Sequence, residues 1–174
     1  MPTWTIMDPE AGWQPITQVS TALQHPIGTI VRAYDSTSYT ATAAQGAGEF
    51  IYLQGVGSTV AGSLVTYNAA SGVTVLAPTT ASTTTPFAVA MAATVASTFG
   101  WYQISGNALI AKTTIKVSPA VSIYVTGSGL ITSTASTGKK ILNAVSANVA
   151  TVASATGTVM VTIQRPGGSG GVTA

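Results

Sequence analysis

The chain has 174 residues, of which 46% are hydrophobic and only 6% are charged. It contains no cysteine, which excludes disulfide bonds and thiolate chemistry. Its formal net charge of +2 is too small to predict binding to nucleic acid or to an anionic membrane.

The low charge content itself predicts an assembly. An ordinary soluble domain has about 25% charged residues, and this charge keeps it soluble as a monomer. A chain that lacks such charge is expected to lie in a fixed assembly with much of its surface covered.

The first residues lack the basic and apolar regions of a signal peptide. Glycine and proline interrupt the longest charge-free stretch, 50–111, so we predict no transmembrane helix.

Residues 1–26 differ from the rest because they hold Pro2, Pro9, Pro15 and Pro26, half of the 8 prolines. Prolines at this density prevent a continuous helix or a central strand. Two alternatives follow. The segment packs on its own domain as a strand or coil, or it is an extended arm whose indole rings lie on a partner. For the arm, the candidate partner-contacting residues are Trp4, Ile6, Trp13, Ile16 and His25.

Residues 27–166 have the composition of an all-β domain, because Val, Ile, Thr and Tyr are frequent and apolar residues alternate with polar ones. Short strands at this spacing are typical of a single small antiparallel β-sandwich or barrel. The predicted strands are 27–34, 49–54, 63–67, 73–77, 87–91, 101–104, 108–112, 121–126, 130–133, 140–147 and 158–164.

Gly-containing turn sequences at 68–72, 105–107 and 127–129 predict three β-hairpins. The last predicted strand alternates most clearly, with Val159, Val161 and Ile163 on one face. Its other face carries Thr158, Met160, Thr162 and Gln164. Residues 167–174 are Gly-rich and predict a flexible C-terminal tail.

The sequence does not predict a catalytic or metal site. His25, the 1 histidine, lies beside Pro26 in the proline-rich segment, where no catalytic triad is expected. The 4 acidic residues are scattered and form no calcium-binding loop. Lys139-Lys140 is a basic pair without the interleaved aromatic residues of a single-strand-binding surface. We therefore expect no enzymatic activity, no cofactor, no metal and no nucleic-acid partner.

Residues 99–108 read Phe-Gly-Trp-Tyr-Gln-Ile-Ser-Gly-Asn-Ala, and they resemble a Gly-Trp-aromatic-Gln-x-x-Gly segment of capsid decoration, or cement, proteins of tailed bacteriophages. The resemblance extends over 88–166. It includes an Ala-Val-Ala-Met strand at 88–91, a Tyr-Val-Thr-x-x-Gly hairpin at 124–129 and a late strand that ends in Pro166. The matching motif residues are Gly100, Trp101, Tyr102, Gln103 and Gly106.

This resemblance implies a small β domain, commonly a homotrimer, bound outside an icosahedral phage head. Its partners would be the major capsid protein and its own copies, with no nucleic acid and no membrane. It would be made in the host cytoplasm and located on the capsid exterior of the virion. A protein that bridges several capsid subunits stabilises the shell by mass action, and a trimer multiplies the contacts.

Two alternatives remain open. A phage tail or fibre component, or another receptor-binding β module, would have exposed aromatic residues clustered at a loop end. A glycan hydrolase would need two carboxylates about 5–10 Å apart, and the chain has only 4 acidic residues from which to build such a pair.

Overall fold

The fold is described by a computed structural model, which covers residues 4–8, 12–36, 45–81 and 85–169. Over these residues the chain has twelve β-strands and no helix, so the all-β prediction is confirmed. The strands belong to one antiparallel sheet that is not closed on itself. Within the same residues, no helix is long and apolar enough to cross a membrane.

The strands follow the predicted positions closely at most places. In chain order they are β1 Trp4–Ile6, β2 Val19–Ser20, β3 Ile30–Asp35, β4 Ala47–Gln54, β5 Leu64–Tyr67, β6 Thr74–Leu76, β7 Phe87–Ala90, β8 Phe99–Ala111, β9 Ser122–Gly127, β10 Leu130–Thr132, β11 Lys140–Ser146 and β12 Thr158–Gly168.

The long strand β8 is the centre of the sheet. Its first half pairs with β4 along one edge, and its other edge pairs in turn with β2, β7 and β12. From β12 the sheet continues through β11 and β9 to β10, and from β4 it continues through β3 to β1. On the other side of β8, β7 pairs with β5, and β5 pairs with β6.

The hairpin predicted at 105–107 is wrong, because β8 continues through these residues as a single strand of 13 residues. Gly106 has a positive φ of 98°, and a Cβ at this position would collide with the carbonyl oxygen of Ala47. The glycine therefore permits a close approach of two backbones rather than a chain reversal. Asn107 pairs with Thr162 in the neighbouring strand.

The hairpins predicted at 68–72 and 127–129 are confirmed, because β5 pairs with β6 and β9 pairs with β10. The predicted faces of the last strand are also correct. Val159, Val161 and Ile163 are buried in the largest hydrophobic cluster. This cluster includes Leu64 and Phe87, so β5 and β7 pack against the β8–β12–β11–β9 half of the sheet.

The C-terminal boundary differs from the flexible tail predicted from residue 167. Gly167 and Gly168 belong to β12 and pair with Leu142 and Ile141 of β11. The Gly168 amide also donates to the carbonyl oxygen of Thr85 at 3.2 Å. These backbone bonds hold the glycines in the sheet, because a strand needs no side chain to form its ladder. Residues 170–174 lie outside the described residues.

Candidate functional site

The predicted arm lies on the chain's own sheet. We call residues 4–8 and 12–25 the N-terminal segment. Trp4 and Ile6 lie in β1 and pair with Asp35 and Ala33 of β3. The Trp4 ring centroid is 4.8 Å from that of Phe50. The described part of residues 1–26 therefore packs as the first alternative expected, on its own domain rather than as a separate extended arm.

Ile16 and Trp13 complete this packing. Ile16 is only 1% exposed and belongs to the hydrophobic cluster that contains Tyr52 and Trp101. Trp13 packs against the same cluster, with its ring centroid 5.9 Å from that of Trp101. Burial of these apolar side chains on the sheet is the physical reason that they do not project towards a partner.

His25 lies in an aromatic cluster. Its ring centroid is 4.6 Å from Trp13, 5.1 Å from Tyr52 and 5.5 Å from Trp101. Its Nε2 accepts a hydrogen bond from the backbone N–H of Gln14 at 3.1 Å. A nitrogen that accepts a hydrogen bond carries no proton, so the geometry requires the neutral imidazole. His25 therefore ties the N-terminal segment together, and this role is structural.

Gln14 joins the N-terminal segment to the sheet, and sequence reasoning missed it. Its backbone carbonyl accepts from Trp101 Nε1 at 2.8 Å, and its Oε1 accepts from the Tyr52 hydroxyl at 2.9 Å. Its Nε2 donates to the Gln18 carbonyl oxygen at 2.6 Å. One glutamine between Trp13 and Pro15 has no sequence feature that would indicate these long-range partners.

The motif residues of the family resemblance are interior residues of β8. Trp101, Tyr102 and Gln103 are all buried. A Cβ on Gly100 would lie 3.3 Å from Cγ1 of Val19, so the glycine lets β2 pack closely. Gly106 permits the approach of Ala47 described above. In this structure the motif therefore determines how β8 packs and does not itself form a surface.

A partly exposed apolar surface lies on the other half of β8. Residues that pair across antiparallel strands project to the same face. Leu109 pairs with Met160, while Thr162 pairs with both Asn107 and Val145. We call these five residues the Leu109 face. Val145 is 44% exposed and Leu109 and Met160 are half-buried, so much of the apolar part of this face is accessible.

Two cavities border the Leu109 face. The larger, of about 500 Å³, lies between this face and residues 147–156, where Val149 is 78% exposed. The smaller, of about 230 Å³, lies between the face and the N-terminal segment. Both cavities are lined by Leu109 and Thr158, so they are neighbours.

Among the residues that the structure describes, no charged side chain lines either cavity. Glu49 instead contacts two exposed arginines, with 3.7 Å to Arg32 and 3.2 Å to Arg165. Lys112 is buried, and its Nζ donates to the carbonyl oxygens of Thr113, Ile115 and Ser154 at 3.3, 2.8 and 3.3 Å. The cavities and the Leu109 face can therefore bind through apolar contacts and neutral hydrogen bonds, not through ion pairs.

The acidic and histidine residues do not assemble into a metal site in the part of the chain that the structure describes, where no three of them lie together.

Comparison of the chain with protein-family models, with curated proteins and with solved structures finds no match. The resemblance to phage decoration proteins therefore stays a prediction, and function has to be argued from the surface and its charges.

The Leu109 face was not predicted from the sequence. The alternation of the last strand places Met160 on its otherwise polar face, which is the one sequence feature that could have indicated an apolar site there. Prediction of the face would also require the strand register that sets Met160 opposite Leu109. This register joins residues about fifty positions apart, which local periodicity does not contain.

Proposed function

We propose that this protein is a capsid decoration, or cement, protein, a structural virion protein bound to the outside of an icosahedral phage head. It stabilises the head by bridging neighbouring major capsid proteins, and it acts without catalysis. The observation that carries this proposal is the uncharged Leu109 face on a chain with only 6% charged residues.

The physical argument starts from the exposed apolar side chains. Val145 belongs to the Leu109 face, Val149 lines the larger cavity, and both remain accessible. Contiguous apolar surface on a soluble protein marks an interaction site. An apolar contact surface of this kind is typical of a permanent complex, because obligate interfaces are more apolar than transient ones. The proposed neighbours are the major capsid protein and further copies of this chain in a homotrimer.

Exposed aromatic residues are scarce in the described ranges, and this scarcity weighs against the receptor-binding alternative. Tyr34 is the one aromatic residue among the strongly exposed large hydrophobic side chains of the described ranges. The ring-to-ring contacts found there lie within the N-terminal segment, between this segment and the sheet, or between β4 and β8. A loop end with clustered aromatic rings, which a tail or fibre module would present, is not found in those ranges.

The proposal is tested by binding to heads of the phage that encodes the chain, after the protein has been removed. We expect the wild-type protein to co-sediment with these heads and to raise the temperature at which they release DNA. We expect Val145→Lys to weaken binding at least about tenfold, because an unpaired charge would be buried in an apolar contact. The control is Val75→Lys, which changes an exposed valine of β6.

Failure of the wild-type protein to bind heads would reject the proposed function. Equal binding by both valine variants would reject the Leu109 face as the contact surface. Imaging of virions with an antibody against this chain separates the head location from the tail alternative, because antibody on the tail would contradict a decoration role.

A further inference from the structure

A second exposed surface lies on the outer face of β3. Ile30, Arg32 and Tyr34 are exposed and alternate along this strand with the buried Val31 and Ala33. The N-terminal segment packs over the hydrophobic cluster that contains Val31 and Ala33. Because successive residues of a strand project to opposite faces, the three exposed residues lie on the side of the sheet that this segment leaves open.

Two arginines share one carboxylate on this side of the sheet. Glu49 Oε1 is 3.7 Å from Arg32 Nε, and Glu49 Oε2 is 3.2 Å from Arg165 Nη2. The arginine side chains are 71% and 64% exposed, whereas the Glu49 side chain is 25% exposed. Asp8 lies nearby, but its Oδ2 accepts the backbone N–H of Arg32 at 2.7 Å. The most accessible charges are therefore the two guanidinium groups.

These guanidinium groups have hydrogen-bond donors to spare. Each guanidinium has five N–H donors, and among the described residues each makes one ion-pair contact, with Glu49. Most of the donors therefore remain available to a partner. We call the set that surrounds them the Arg32 face, which consists of Ile30, Arg32, Tyr34, Glu49 and Arg165.

The residues around the arginines favour a polypeptide partner over a free inorganic anion. Ile30 and Tyr34 are each 43% exposed and lie on either side of Arg32 along β3. Tyrosine and arginine are enriched among the residues that dominate protein–protein binding energies. An open groove of about 310 Å³ is lined by Arg32, Glu49 and Met7, among others. A partner segment can therefore place an acidic side chain at the arginines and apolar groups on Ile30 and Tyr34.

The backbone at Arg165 is strained. Its φ of 47° lies in the left-handed region, which residues other than glycine rarely adopt. Asn143 of β11 has a φ of 56°, and both residues lie in the irregular part of the β11–β12 pair. Regular alternation would continue the buried face of Val161 and Ile163 to Arg165, whose side chain is instead mostly exposed. Strain of this kind is concentrated at binding and catalytic sites.

The Arg32 face and the Leu109 face lie on opposite sides of the sheet. Leu109 lines the smaller cavity together with Thr17 of the N-terminal segment. The Leu109 face is therefore on the side that carries this segment, while the Arg32 face projects from the other side. One surface is uncharged and the other has two exposed arginines, so they fit partners of different chemistry. A protein that joins two neighbouring subunits needs two such separate surfaces.

We propose that Arg32 and Arg165 together bind the carboxylate of an aspartate or glutamate side chain on a major capsid protein, beside the subunit that the Leu109 face contacts. The occupant is acidic because a further carboxylate pairs with the guanidinium donors that Glu49 leaves open. The identity of the partner as a capsid protein rests on the proposed function. The charge complementarity does not.

The test measures co-sedimentation with heads from which the protein has been removed, at about 0.05 M NaCl. We expect the double variant Arg32→Gln, Arg165→Gln to weaken binding about tenfold, because the partner carboxylate loses both donors. We also expect this variant to lose most of the wild-type salt response, since screening acts on charged contacts. The matched control Lys139→Gln, Lys140→Gln removes two positive charges elsewhere and is expected to bind like the wild type.

The sign of the partner's charge is tested with two single variants of Arg32. Arg32→Glu adds a negative charge where Arg32→Gln adds none, so we expect Arg32→Glu to bind more weakly. Equal or tighter binding by Arg32→Glu would contradict an acidic partner. Both variants change an exposed side chain, so urea denaturation is expected to show that each remains folded.

Bridging is tested at saturating protein concentration, where the wild type and the double arginine variant cover the heads equally. We expect the wild type to raise the temperature of DNA release further, because the variant is attached through the Leu109 face alone. Equal stabilisation, or equal affinity of the two proteins, rejects the Arg32 face as a second contact and leaves the proposed function intact. Failure of the wild type to bind heads rejects the proposed function, and with it the capsid carboxylate as the partner.

Discussion

Tyr102 lies in the first half of β8, with its ring fully buried and its hydroxyl 3.2 Å from Thr94 Oγ1. Burial raises the pKa of the Tyr102 hydroxyl, while hydrogen bonds to Thr94 and Thr74 oppose this shift. Burial also raises the pKa of Tyr52, against a hydrogen bond from the Gln24 backbone. The folded chain therefore keeps these protons at a pH where the unfolded chain releases them.

The sign of the resulting pH dependence follows from this difference. Unfolded tyrosine has a pKa of about 10, so the contribution of Tyr102 to stability is complete below this pH and is lost above it. We expect the free energy of unfolding, measured with urea, to fall as the pH rises above about 10, by up to about 1.4 kcal/mol per pH unit for each such tyrosine.

Tyr102→Phe should show a smaller alkaline loss than the wild type, because this variant has one fewer buried hydroxyl to ionise. Tyr34→Phe removes an exposed hydroxyl and is the matched control, with the wild-type pH profile expected. An alkaline loss of the same size in Tyr102→Phe and the wild type would contradict the argument.

At the scale of the elements, the N-terminal segment behaves as part of the core. Ile16 is 1% exposed and packs in the cluster of Phe50 and Trp101. Removing a buried isoleucine side chain leaves a cavity and costs about 2–5 kcal/mol. We therefore expect Ile16→Ala to lower the free energy of unfolding by this amount, as measured by urea denaturation.

Ile30→Ala is the control, because it makes the same change at a residue of β3 that is 43% exposed. We expect this variant to lose less than about 1 kcal/mol. If Ile16→Ala were no more harmful than Ile30→Ala, the N-terminal segment would be dispensable for folding, as an independent arm would be.

The strands and their contacts also show which structural features can be predicted from the sequence and which cannot. Alternation placed β12 and its buried face correctly, because a two-residue period is a local property. The Gly106-Asn107 sequence predicted a turn, but the approach of Ala47 requires this glycine within a continuous strand. Trp13 and Ile16 were expected to contact a partner from an extended arm, but both pack on the chain's own sheet. Their binding surface is set by long-range contacts such as Gln14 with Trp101, 87 residues apart, which no local pattern encodes.

Across the part of the molecule that the structure describes, no charged residue belongs to the Leu109 face or lines its two cavities. Glu49 contacts two exposed arginines, and the buried Lys112 is satisfied by three carbonyl oxygens. Exposed ion pairs contribute about 0–1 kcal/mol and are screened by salt. Apolar contacts are not screened, so the two kinds of surface respond differently to ionic strength.

This difference gives a test of how the protein attaches to its assembly. If the Leu109 face makes the contact, raising NaCl from about 0.05 to 0.5 M should weaken co-sedimentation with heads less than about tenfold. The double variant Lys139→Ala, Lys140→Ala is a useful control, because it removes a basic pair that does not belong to the Leu109 face and should leave the affinity and its salt response unchanged. A steep loss of binding with salt, abolished in this variant, would identify an anionic partner and contradict an apolar attachment.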